Sequence, residues 1–497
     1  MKRRFFLGVS LAATAARAQS NIDPSAAARQ RWDFVIVGAG TTGLPAAIFA
    51  ARRGARVVVL DAADKIGGTL HIAGGEISGA GSHAQAAKGL VDSADIHYAD
   101  VMRLTHGTAD PDVIRLAVDN GGETLNWLLD GGLTPLPGHP VTGEGLDDHG
   151  YTVPRYLWGK NGGRDLLAVM ERQFTPEVAS GRISLVLNAR VSELLTAGDG
   201  SVEGVRVGAQ TIRGRHTILA TGGYAMNPDL FERMVGQPAY AAGSYPQSQG
   251  DGLTLATSIG AALRGHKLHR PGTGSIMSAS TFPATAYARF NTVVDKRPPW
   301  EIWVNTNGRR FICEDSSNPY TLSRALFAQP RLRYAIVFDD AILRAAPIGI
   351  PNWTADKMRE HFGSHPMFHR ADTLAELAAK AGIGAGALQE TVNAYNAAAQ
   401  AGGGDALGRK HMPKPIAEPP FYAIIHLGHS ATSSVGIVVD KEMRALRANG
   451  TPIAGLYAAG EVLGSGVTLG DAFVPGMMLT PAMTFGRLLG QRLPIGA

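Results

Sequence analysis

The stretch Trp32–Gly68, WDFVIVGAGTTGLPAAIFAARRGARVVVLDAADKIGG, decides the fold. Phe34–Val37 is a short apolar run of the kind that forms a buried strand, and Val57–Leu60 is a second. Between them Gly38, Gly40 and Gly43 supply Gly-x-Gly-x-x-Gly, followed by an Ala-rich helical stretch. The first glycine permits a tight turn, the second lets backbone approach a pyrophosphate, and the third allows the helix to pack closely on the strand. Free amides at the helix start face the phosphates. The second strand ends at Asp61, 18 residues after Gly43, where a carboxylate can accept hydrogen bonds from ribose hydroxyls. The stretch therefore reads as strand, glycine turn, helix and strand, binding a dinucleotide. Ala39 and Thr42 belong to the same turn.

Working outward, the N-terminal MKRRFFLGVSLAATAARAQS has a basic start, a modest apolar stretch and Ala16-Arg17-Ala18 as a small-residue cleavage site. Its apolar stretch is well short of the ~20 residues needed to cross a bilayer. Arg3-Arg4-Phe5-Phe6-Leu7 resembles a twin-arginine export signal, which carries proteins already folded. The expectation is a signal over 1–18, mature protein starting near Gln19, and a periplasmic or otherwise exported location without a transmembrane anchor.

Composition excludes several classes. With 45% hydrophobic and 18% charged residues, the chain is an ordinary globular protein. Lys2, Arg3, Arg4 and Arg17 account for four of the five net positive charges, so the mature chain carries about +1 and does not favour nucleic acid. Cys313 is the one cysteine, which rules out an intrachain disulfide, covalent haem through Cys-x-x-Cys, and a cysteine-held iron–sulfur cluster. No His-Glu-x-x-His metal motif occurs, and no metal is expected. Any redox chemistry needs a cofactor held without thiols.

Further glycine signals follow: Gly67-Gly68-Thr69, Gly74-Gly75, the strand-and-turn TILATGGY (Thr217–Tyr224) and its echo GLYAAGEV (Gly455–Val462). With VDSADIHYADVMRLTHG, VNTNGRRFICED, AIVFDD and AMTFGRLLG in order, the chain resembles the flavoprotein subunits of the fumarate reductase and succinate dehydrogenase family over nearly its whole mature length. The resemblance implies an α/β fold: a Rossmann-like FAD-binding domain split in sequence (32–267 and 421–497) around an inserted α+β capping domain (268–420), after a linker (19–31). It implies FAD, held by Gly38, Ala39, Gly40, Thr42, Gly43, Asp61, Gly68, Thr69, Gly74, Gly75, Val191, Ala220, Thr221, Gly222, Gly460, Glu461, Leu479 and Thr480. His71 does not fall at the position of the succinate dehydrogenases' flavin-linked histidine, so FAD is expected to be non-covalent. A flavoprotein that takes up FAD in the cytoplasm must cross a membrane folded, which fits the export signal.

The family's chemistry is hydride transfer between a substrate carbon and flavin N5, beside an electron-withdrawing group. Thr480 as N-cap and Pro481 at the first helical position would start a helix at the flavin's pyrimidine edge. Fumarate reductases carry paired histidines before an Asp, where this chain has Ala431 and Thr432, and an arginine in the late glycine-rich loop. No Lys or Arg occurs from Val462 to Gly486. A buried dicarboxylate needs charge-assisted partners. The VPG and TPAMTFG of this loop look like those of 3-ketosteroid dehydrogenases. Their Pro-Tyr corresponds to Pro319-Tyr320, two residues later than usual, and their late-loop tyrosine is Val474 here. The favoured reading is a desaturase or reductase of a neutral cyclic ketone or enone, with Tyr320, Arg324 and His269 as catalytic candidates and Phe473, Met477 and Met478 as apolar lining. The alternatives are reduction of a small unsaturated acid, with Arg289, Arg297 and Arg324 as the clamp, and a non-enzymatic flavin module. The electron partner is unspecified.

Overall fold

A computed structural model describes residues 21–143, 150–315 and 318–496. The expected signal, 1–18, and the start near Gln19 lie outside the described residues.

The quoted stretch folds as read. The strands Arg31–Val37 and Val57–Leu60 pair in parallel, with Phe34 opposite Val57 and Val37 opposite Leu60. The helix Gly43–Arg52 connects them. Ile183–Val186 extends the sheet beyond Val57–Leu60, and Gln210–Leu219 then Pro452–Ala458 extend it on the other side, all in parallel. Near-continuous burial of the strands Arg31–Val37 and Val57–Leu60 suits a sheet covered on both faces at its centre. The segment 452–458 comes from the far end of the chain, so the domain is split in sequence. The C-terminal helix Leu479–Arg492 lies against Gly43–Arg52 at glycine-permitted distance. A Cβ at Gly486 would stand 2.1 Å from the Thr42 carbonyl oxygen, and one at Gly490 would stand 2.4 Å from that of Ala46. This is the packing that AMTFGRLLG encodes.

The inserted lobe has its own core around an antiparallel sheet ordered Ile302–Asn305, Arg333–Asp339, Phe421–Leu427 and Phe368–Ala371. The sequence predicts a helix near Ala385 to Ala401 ended by the glycines of QAGGGD, and the helix Ala385–Ala401 ends on Gly402 in the left-handed conformation. Two expected boundaries differ from the structure. Phe421–Leu427 is a central strand of the lobe's sheet, so the lobe runs past residue 420. The 21–31 stretch is not a free linker. The Ile22 amide donates to the Leu185 carbonyl at 2.8 Å, Ala27 is fully buried, and the Trp32 indole donates to the Ala27 carbonyl at 2.9 Å. A buried indole needs such a partner, and the short helix Pro24–Ala27 provides it. Among the described residues no helix is long and apolar enough to cross a membrane, and no cluster of His, Cys, Asp and Glu could hold a metal ion.

Candidate functional site

Strand ends and glycine turns converge on a cavity of about 390 Å³, within the usual range for small-molecule sites. Gly38, Gly40 and Thr42 line it from the first turn, Asp61 from the second strand, and Gly68, Thr69 and Gly74 from the next loop. Val191, Ala220, Thr221, Gly222, Glu461 and Leu479 complete the expected set on its wall. Ala39, Gly43, Gly75, Gly460 and Thr480 stand behind it instead. The backbone explains several of these. Gly38 has φ +109°, and a Cβ there would meet the Ala220 carbonyl oxygen at 2.2 Å. A Cβ at Gly43 would lie 1.8 Å from the Gly38 oxygen, so the turn closes only on glycine. Gly40 differs: a Cβ there meets nothing nearer than 3.9 Å. Its small size keeps cavity space open, which fits a pyrophosphate against the turn.

Two carboxylates follow the C-terminal ends of two parallel strands of the sheet. Asp61 accepts the Ala39 amide at 2.6 Å and the Ala63 amide at 2.8 Å, and burial raises its pKa. Glu461 accepts the Ser433 amide at 2.9 Å, and burial pushes it up to about 7. Both keep acceptor capacity for sugar hydroxyls. A carboxyl whose folded pKa exceeds its unfolded value binds more protons when folded. Its contribution to stability is present below pH 4.5 and is lost as pH rises to about 7. The thermal midpoint of the FAD-free protein should therefore fall across that window, and Glu461→Gln should flatten this component. Parallel profiles for wild type and variant would contradict the assignment.

The late helix starts differently from expectation. It runs from Leu479 with Met478 at the cap position and no side-chain cap, so Thr480 lies inside the first turn. The Thr480 hydroxyl instead accepts the Ser78 amide at 2.9 Å, tying the helix start to the loop after Gly75. Leu479 and Ala482 face the cavity, so the amide end of this helix still points there.

At the same end lie Ala431, Thr432, Phe473, Val474 and Met478, while Met477 is buried in the core. Ala431 and Thr432 are the positions where the family resemblance placed missing histidines. The cavity-lining residues among those described include no Lys, Arg or His.

The three catalytic candidates are brought near one another but not into the cavity wall. His269 is buried between Phe231 and Phe327, and burial, with Arg324, pushes its pKa down to about 3. It is a packed neutral ring. Tyr320 stacks on His106 at 4.1 Å, and its hydroxyl donates to Asp471 at 3.3 Å. Arg324 pairs with Asp471 at 3.2 Å and donates to the His269 carbonyl at 3.1 Å. These lobe residues grip Asp471, an acidic member of the uncharged-looking late loop. Of the alternative clamp, Arg297 is bidentate on buried Glu301 and Arg289 is exposed. Sequence reasoning missed Arg270, beside His269, whose guanidinium lies 5.9 Å from the Phe473 ring centroid. Its place directly before Pro271 was the available signal. His71 lies outside the cavity lining and its Nε2 bonds the Ile66 carbonyl at 2.9 Å. Cys313 is engaged with Asp315 in the lobe.

The FAD binding domain family matches residues 33–471. This chain belongs to that family. The FAD-binding chain is 27% identical over 465 residues to fumarate reductase (cytochrome) of Shewanella frigidimarina, covering 92% of this chain and 76% of that one. It is 28% identical over 552 residues to 4-oxocyclohexanecarboxylate 2-dehydrogenase of Sinomonas cyclohexanicum, covering 94% and 93%. Among solved structures, 3-ketosteroid delta1-dehydrogenase from Sterolibacterium denitrificans superposes with TM-score 0.65 at 21% identity, covering 93% of this chain and 99% of that one. A flavocytochrome c3 fumarate reductase gives 0.63 at 24% identity, covering 99% and 82%. These likenesses show the shared fold. The protein is an FAD-dependent oxidoreductase acting on carbon–carbon bonds.

Proposed function

We propose that this oxidoreductase desaturates, or reduces, the carbon–carbon bond beside the carbonyl of a neutral cyclic ketone or enone. The observation carrying this reading is the largely apolar part of the cavity lining, Ala431, Thr432, Phe473, Val474 and Met478, with no Lys, Arg or His among the described lining residues. A dicarboxylate there would find no cation among the described lining residues, and leaving it unpaired costs several kcal/mol. The relative named 4-oxocyclohexanecarboxylate 2-dehydrogenase acts on a cyclic ketone that carries a carboxylate, which supports the cyclic-ketone part of this reading and not its neutral charge.

FAD, when bound, takes up or supplies the hydride. The first glycine turn would receive its pyrophosphate, Asp61 the adenosine ribose and Glu461 the sugar chain. The start of Leu479–Arg492 would favour negative charge on the reduced ring by ~0.3–2 kcal/mol. We propose that FAD is non-covalent, since no His or Cys is among the described cavity-lining residues. Tyr320 and Arg324 act here as positioning residues, holding Asp471 and with it the late loop. The Arg3-Arg4 start supports export of the folded holoprotein to the periplasm or beyond.

A second reading, reduction of a small unsaturated acid, draws on Arg270 above Phe473. Salt separates the two, because exposed charge pairs weaken as ionic strength rises. Binding of 2-cyclohexen-1-one, followed by perturbation of the flavin spectrum, should change less than about twofold between low and high salt. Binding of an unsaturated acid on Arg270 should weaken markedly. Salt-sensitive binding confined to acids would favour the second reading.

A further inference from the structure

Among the described residues, four carboxylates line the cavity: Asp61, Glu76, Asp251 and Glu461. Three are committed to other partners. Asp61 holds the Ala39 and Ala63 amides, Asp251 pairs with Arg190, and Glu461 is buried on the Ser433 amide. Glu76 is different. Its residue is exposed, so it links the cavity to solvent. It directly precedes the strand Ile77–Ser78, which pairs with Tyr156–Leu157, so its backbone position is fixed. The carboxyl group lies back over Gly74. A Cβ on Gly74 would stand 3.0 Å from the Glu76 Cδ and 3.2 Å from each oxygen. Glycine at that position leaves room for the carboxylate at the cavity wall.

Tyr156 lies near Glu76, and burial together with that carboxylate raises the Tyr156 pKa. Tyr156 is therefore a neutral phenol beside Glu76. Tyr156 also lies beside the late loop that contributes Phe473 and Val474 to the cavity wall. A Cβ on Gly143 would lie 2.8 Å from Pro475 Cγ and 3.3 Å from Tyr156 Cδ1, so the Tyr156 ring flanks the late loop. One on Gly476 would lie 2.5 Å from the Ser78 amide nitrogen, so the loop abuts the Glu76 strand directly.

We propose that Glu76 is the catalytic acid and base of this enzyme, a role that rests on the carbonyl-substrate reading above. In the oxidative direction the carbon next to the carbonyl loses its proton to the Glu76 carboxylate, and that C–H electron pair becomes the new π bond. The neighbouring carbon gives its hydride to FAD, the oxidant, and Glu76 passes its proton to solvent. In the reductive direction the same carboxylic acid supplies the proton while reduced FAD supplies the hydride.

Glu76→Gln tests this, since an exposed isosteric change leaves the fold intact. Losing a positioned acid or base typically costs 10²–10⁴-fold. With 2-cyclohexen-1-one as oxidant, reoxidation of the photoreduced variant should be at least about 100-fold slower than wild type. Deuterium exchange at the α-carbon of cyclohexanone in D₂O, read by NMR, should slow in parallel, because exchange needs the base and no electron transfer. Fluorescence titration of the FAD-free variant should give FAD affinity within about threefold of wild type, and Glu76→Asp should recover part of both rates. Unchanged rates in Glu76→Gln, or a loss explained by weakened FAD binding, would overturn the role. If wild type turns over fumarate alone, the neutral-substrate reading fails, and Glu76 is judged on fumarate rates by the same hundredfold criterion.

Discussion

Replacing Asp61 with alanine should raise the dissociation constant for FAD by at least about 100-fold, the larger part of it through the glycine turn. The carboxylate accepts the Ala39 amide at 2.6 Å and the Ala63 amide at 2.8 Å, so it clamps the loop that receives the pyrophosphate onto the end of the second strand. Hydrogen bonds to a charged group contribute ~1.5–3 kcal/mol each, and ~1.4 kcal/mol is a tenfold change in affinity. The ribose contacts proposed for the same carboxylate add to the loss. Asp61→Asn keeps one acceptor oxygen and should fall between the two. Fluorescence titration of FAD-free protein reads all three constants. An alanine variant that binds within about threefold of wild type would remove Asp61 from the cofactor site.

The second large effect is expected at Arg155, far from any glycine signal. Its guanidinium is wholly buried, bidentate on Asp92 at 2.8 Å and paired with Asp100. Its Cζ lies 4.7 Å from the Tyr151 ring centroid, and the Tyr151 hydroxyl donates to the Pro475 carbonyl of the late loop. Arg155→Met leaves the buried Asp92 carboxylate without its cation and Asp100 with Arg103 alone. Breaking a buried pair in this way costs about 3–5 kcal/mol. The urea midpoint of the holoprotein should drop accordingly. Adding Asp92→Asn to Arg155→Met should restore much of the loss, because the unpaired buried charge is then gone. A single variant as stable as wild type would show that the network contributes little.

These two sites also show what the sequence made legible. Asp61 was readable because a short strand, a glycine turn and an acid at fixed spacing form one local unit. The helix Ala385–Ala401 was readable for the same reason, its glycine stop lying next to it in the chain. VDSADIHYADVMRLTHG was recognisable as a pattern, but the role of Asp92 and Asp100 was not. Their partner Arg155 is 63 and 55 residues away, and nothing local to the motif points to it. Thr480 misled because Thr-Pro is a strong local signal for a helix start, whereas the Thr480 hydroxyl is taken by the Ser78 amide and the helix begins two residues earlier. Phe421–Leu427 follows a proline-rich edge that reads as a boundary, yet pairing with Arg333–Asp339 draws it into the lobe. Glu76 had no signature, since its neighbourhood is made by Tyr156 on a distant strand and by Gly74 keeping space.

The central claim is hydride exchange with a neutral carbonyl substrate. The most direct measurement is the visible flavin spectrum of pure holoprotein during anaerobic rapid mixing with cyclic ketones, cyclic enones and unsaturated acids. The account predicts that a cyclic ketone bleaches the oxidised flavin, or a cyclic enone restores colour to the reduced form, at rates little affected by salt. Exchange confined to fumarate-like acids, or no response to any of the three classes, would contradict it.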